Sequence, residues 1–130
     1  MRGGEHRCRR ARERGQATVE LALVLPVAIL FALVALQLGV LAKDLVLVHH
    51  AAREGARAAA VEPDVGAARA AVVGSSSLDS GRLSVRLSGG SSRGSQTTAT
   101  VTYLAPTSVP IVGALLPDIS LDASVTMRVE

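Results

Sequence analysis

The sequence predicts an α+β chain: a long N-terminal helix that first spans a membrane and then projects from it, with a small antiparallel β-sheet of about three strands. Three observations predict it. Residues 21–42 form an apolar run of 22 residues without a charge. Helical periodicity then continues to Val61. The last fifty residues change to apolar–polar alternation, broken by Gly, Ser and Pro. Four regions follow: residues 1–15, a basic leader; 16–42, the transmembrane half of the helix; 43–74, an extracytoplasmic helical region; and 75–130, the small β region.

Composition supports this reading. A chain of 130 residues has room for one small domain. Hydrophobic residues make up 48%, but Phe31 and Tyr103 are the only aromatics. A soluble core of this size normally draws on several aromatics, each burying ~150–250 Å². The apolar content here is Ala, Val and Leu concentrated in one block, which argues against a compact soluble enzyme. Cys8 is the single cysteine, so an internal disulfide and a multi-cysteine zinc site are excluded.

Residues 1–15 carry six arginines against Glu5 and Glu13, while the other 115 residues carry eight bases and nine acids. A basic tail can bind nucleic acid. This one directly precedes an apolar run, and the rest of the chain offers no basic surface or stacking aromatics, so no nucleic-acid partner is expected. It reads as the positive-inside flank of a membrane segment.

At 1.5 Å per residue the uncharged run spans ~33 Å, enough for a ~30 Å hydrocarbon core. Gln37 is the only polar side chain within it, and Pro26 can kink a membrane helix without breaking it. Lys43 and Asp44 mark the far boundary. The expected location is the cytoplasmic (plasma) membrane, single-pass, with the N-terminus inside and the C-terminal region outside. The partner of this half is membrane lipid. Two alternatives remain open at this point: a secreted binding module whose signal peptide is cleaved after Ala42, although signal h-regions are usually ~7–15 residues, and a single-pass anchor or scaffold of the cell envelope.

Beyond the run, Leu45, Val48, Ala52, Gly55 and Ala59 recur on one helix face, and His50, Glu54 and Arg57 fall on another. Glu54 and Arg57 are spaced to pair. Ala51, Gly55 and Ala59 form a small-residue row, as do Ala52, Ala56 and Ala60. Such rows let another backbone approach closely; a plain alanine-rich helix is the alternative. The helix is expected over residues 17–61. Pro63 ends it and can occupy the first turn of a second helix reaching about Val73.

Leu83, Val85 and Leu87 alternate with Ser84, Arg86 and Ser88, a first strand. Residues 89–94 make a Gly/Ser turn. Residues 97–104, rich in Thr and Val, make a second strand hairpinned to the first. Pro106, Pro110 and Pro117 forbid a regular element across residues 106–117, an apolar loop. Ile119, Leu121, Ala123, Val125, Met127 and Val129 alternate in a third strand. Three strands with one apolar face need a cover, and the projecting half of the long helix is the element long enough to provide it.

The apolar run is entered through Arg14-Gly15-Gln16-Ala17-Thr18-Val19-Glu20-Leu21. At a bilayer centre a carboxylate would cost ~2.5–3.5 kcal/mol, less at an edge. Glu20 either caps a helix N-terminus against its dipole or has a specific task. A basic leader, Gly15, four residues, Glu20 and a long apolar helix resemble the type III signal of type IV pilins and pseudopilins. The string RGQATVELALVLP followed by HHAAREGARAAAV is similar to the TadE-like family of the tight-adherence (Flp) pilus system, and SVTMRVE resembles the final stretch of such proteins. The architecture is then pilin-like.

The resemblance implies a non-enzymatic minor pilin or pseudopilin that takes part in building an Flp-type pilus. A prepilin peptidase would cut after Gly15, leaving Gln16 with a free α-amine and Glu20 as the fifth mature residue. Glu20 would neutralise a subunit's N-terminal amine as the helix enters a bundle with other pilin subunits and the Tad assembly machinery. Many relatives carry an aromatic residue after this glutamate; Leu21 stands here. No cofactor or metal is implied. His49 and His50 point ~100° apart on a helix, a poor pair for one ion, and neither a Ser–His–Asp arrangement nor a phosphate-binding GxxxxGK[ST] loop is present.

Overall fold

A computed structural model describes the backbone of residues 5–130 and the side chains from Gly15 onward. The basic leader, with Cys8, lies largely outside the described side chains. Helix α1 (Glu5–Val61) is followed by α2 (Val65–Ser75), a 3-10 turn (Ser80–Arg82), β1 (Leu83–Gly89), β2 (Gln96–Ala105), the single turn α3 (Val112–Leu115) and β3 (Ile119–Arg128). The architecture is α+β, a long helix with a three-stranded antiparallel sheet in the order β1-β2-β3.

α1 starts earlier than the expected Ala17 and passes Pro26 without interruption. Its two halves differ. From Val19 to Leu38, twelve large apolar side chains are exposed, Phe31 and Leu23 by 78% and 72%. From Leu33 onward a buried stripe develops at helical spacing through Gln37, Asp44, Val48, Ala51 and Ala52. Gly15–Val61 is long and apolar enough to cross a membrane, and its most apolar window has no buried residue.

Asp64, not Pro63, begins α2. Its carboxylate accepts from the Ala67 N–H at 2.9 Å. This satisfies a donor that the first helical turn leaves unpaired, so Pro63 stays outside the helix. α2 runs on to Ser75 and covers α1 and part of β1.

The sheet follows from period-two patterning. Val85, Val101 and Ala123 lie side by side across the three strands, as do Leu83, Tyr103 and Leu121. This face packs on α1, where Val48, Ala51 and Ala52 are fully buried. The other face is polar, with hydroxyl contacts Thr98–Thr126 at 2.7 Å and Thr100–Ser124 at 3.0 Å. With alanines on the helix and Ala99, Ala105 and Ala123 on the sheet, the two layers approach closely. Tyr103 is the one aromatic in this core.

The stretch 106–117 departs from the expected irregular loop, because α3 forms in the proline-free interval between Pro110 and Pro117. Its neck is closed. Thr107 N–H donates to Asp118 Oδ1 at 3.2 Å, and Thr107 Oγ1 donates to the Pro117 carbonyl at 3.0 Å. Within the loop, Gly113 N–H donates to the Val109 carbonyl at 2.9 Å. A Cβ on Gly113 would collide with the Thr107 carbonyl oxygen, so the loop folds back on itself through a glycine.

Candidate processing and assembly segment

Gly15, Gln16 and Glu20 are all exposed on α1, and nothing lies within 4 Å of where a Gly15 Cβ would stand. Five residues of helix separate Gly15 from Glu20 by ~7.5 Å. Glu20 lies well inside α1, which begins at Glu5, so it does not cap the end of this helix. Residues 15–20 are all exposed, an accessible helix surface.

The small-residue rows have a different setting. Ala51, Ala52, Gly55, Ala56 and Ala59 are buried within the chain. A Cβ on Gly55 would stand 2.7 Å from Val72 Cγ2, 3.7 Å from the Ala68 carbonyl oxygen and 3.8 Å from Ala99 Cβ. Gly55 is thus the point where α1, α2 and β2 converge. The backbones these rows admit are the chain's own.

Among the described residues the ion pairs are Lys43–Asp44 at 3.3 Å and Arg82–Asp118 at 2.6 Å. Glu54 and Arg57, spaced to pair, do not. The Asp118 carboxyl is held below its ordinary value by the Arg82 hydrogen bond and then by the Thr107 N–H. The same hydrogen bond raises Arg82. His49 and His50 are exposed on α1 beside Arg53.

Sequence reasoning missed the Arg82–Asp118 pair and a contact of Gln37. Gln37 is 2% exposed, and its Oε1 accepts from the Val109 N–H at 3.3 Å. Gln37 Nε2 is buried without a hydrogen-bond partner. The available signal was Gln37 itself, the lone amide in an uncharged run.

The geometry defines a class of protein: one long helix, bare and apolar in its first half, bearing a small folded head on its second. Residues 15–57 match the sequence model of the family described as TadE-like protein. The match takes in 43 of the 130 residues (15 through 57), from Gly15 into the buried small-residue stretch, and stops short of the sheet. No curated protein and no solved structure matches the chain.

Proposed function

We propose that this chain is a TadE-like minor pilin or pseudopilin of a tight-adherence (Flp) pilus system, a structural subunit rather than an enzyme. The observation that carries this reading is the family match over residues 15–57, which begins at Gly15 and covers the exposed apolar helix. Burial energies support the membrane part. Fully covering a Val, Leu, Ile or Phe side chain is worth ~1.5–3 kcal/mol. Twelve such side chains stand exposed between Val19 and Leu38, which favours lipid by on the order of 10–20 kcal/mol after discounting for partial exposure. One carboxylate at the edge of the run, at under ~3.5 kcal/mol, does not reverse that balance.

In this reading the N-terminal arginines hold the leader in the cytoplasm. A prepilin peptidase cuts after Gly15, where a glycine weakens the helix and lets an enzyme reach the backbone. Gln16 then bears a new α-amine, and Glu20 meets the amine of a subunit as helices bundle. At low dielectric that pairing is far stronger than in water, and it offsets the burial of both charges. Lipid, the peptidase, other pilin subunits and the Tad machinery are the partners.

Two variants test the roles separately. Gly15→Leu is expected to block maturation, and normal maturation of that variant contradicts the processing site. Glu20→Ala is expected to mature normally but to lose co-purification with pilus subunits. Unchanged co-purification removes Glu20 from assembly.

A further inference from the structure

Residues 106–117 contain no charged side chain, and their tip is apolar and uncovered. Ile111 is 58% exposed, Leu115 72% and Leu116 48%. Ile111 also sits in the left-handed region at φ 70, a costly conformation for a β-branched residue. Exposed apolar residues scattered singly are ordinary, but a contiguous set marks a contact surface.

The location of this tip says what it touches. The Val109–Gln37 hydrogen bond ties the loop to α1 six residues before Lys43. That is ~9 Å along the helix axis below the first charge beyond the run. Elements that lie in a membrane interface sink their apolar side ~5–10 Å. The loop's anchor on α1 therefore lies inside the uncharged run, at the depth of one leaflet's edge. Its charged neck, Asp118 with Arg82, stands at the loop's base. The Val109 N–H also pairs the oxygen of Gln37, the lone amide of the run, in a region where an unpaired polar atom is costly.

We infer that the loop 106–117 is a second membrane contact: Ile111, Leu115 and Leu116 enter the lipid leaflet that α1 leaves at residues 37–44. The partner is the acyl-chain and headgroup boundary of a bilayer. The head is then held against the membrane surface at two points. This rests on the membrane-spanning reading of the first half of α1, and the test separates the two.

Leu115 and Val61 are equally exposed at 72% and lie at different levels along α1. The full chain, with Cys8→Ser, is given a single environment-sensitive fluorophore through Leu115→Cys, Val61→Cys or Leu30→Cys. Each is placed in phosphatidylcholine nanodiscs containing lipids with a nitroxide at a shallow acyl position or, for position 30 near the middle of the run, at a deep one. The fluorophores at 115 and 30 are expected to shift to the blue and lose most of their emission to the nitroxide, and the one at 61 to keep its emission. Quenching at 30 without quenching at 115 overturns the loop contact and leaves the spanning helix standing. No quenching at either overturns both. A blue shift at 115 that needs two chains per disc and is insensitive to the nitroxide assigns the patch to a second copy of the chain and overturns the lipid contact.

Discussion

The two halves of α1 are chemically alike in their richness in Ala, Val and Leu, yet they do opposite things. Between Val19 and Phe31 the apolar side chains are exposed all around the helix. Between Val48 and Ala60 only one stripe is apolar and it is covered by α2 and the sheet. What separates them is charge, absent from residues 21–42 and carried by Lys43, Asp44, Arg53, Glu54 and Arg57 in the second half, together with side-chain size. The first half carries Leu, Ile, Val and Phe, large surfaces that no element of the chain covers. The second narrows to Ala and Gly along its buried stripe, so that a helix and a sheet can approach together. Two glycines make the contrast measurable. Nothing lies within 4 Å of where a Cβ on Gly39 would stand, whereas a Cβ on Gly55 would meet Val72 at 2.7 Å.

The largest effect expected from this contrast is at Gly55. Gly55→Leu overpacks a three-element junction and should destabilise the head by ~3 kcal/mol or more, read as a lower melting transition in detergent. Gly39→Leu should leave that transition in place. Equal effects at the two glycines would break the distinction between the halves. Next comes Val48, fully buried against the sheet. Val48→Ala should cost ~2 kcal/mol by lost transfer energy and cavity formation, while Val27→Ala, on the exposed half, should not move the melt of the head.

Much of this organisation is legible in the sequence. The uncharged run, the helical recurrence through Ala59 and the three alternating strands depend on local periodicity, and the structure has them in the expected order. The need of a three-stranded sheet for a cover also identifies the second half of α1. Other features depend on contacts distant in sequence. Gln37 bonds Val109, 72 residues away, and Arg82 bonds Asp118, 36 residues away; no periodicity announces either. The turn α3 needed attention to the spacing of the prolines rather than to their number. Asp64 was a readable N-cap, overshadowed by Pro63 beside it. For the segment at Gly15 and Glu20, the recognisable feature is a motif on an exposed helix surface.

Smaller effects sharpen the boundary between the halves. Gln37→Leu removes the acceptor of the Val109 N–H, so hydrogen exchange at Val109 should accelerate while exchange within β2 is unchanged. Unaltered exchange at Val109 would detach the loop from α1. The smallest effect is at the neck of that loop. Asp118 is depressed in the folded chain, first by Arg82 and then by Thr107, so its stabilisation is present above the ordinary carboxylate pKa of ~4. It is lost as pH falls through the depressed folded value. The pair is solvent-accessible and screened, so only a slight acid loosening of the loop is expected. Asp118→Asn should flatten it, as read by exchange at Thr107 across that pH window.

The most direct test of the whole account is the N-terminus of the chain recovered from membranes of cells that contain a prepilin peptidase, read by intact mass and N-terminal sequencing. The account predicts a chain that begins at Gln16 and retains its apolar helix. A chain that begins at Lys43, or one that keeps its leader uncut beside an active peptidase, would contradict it.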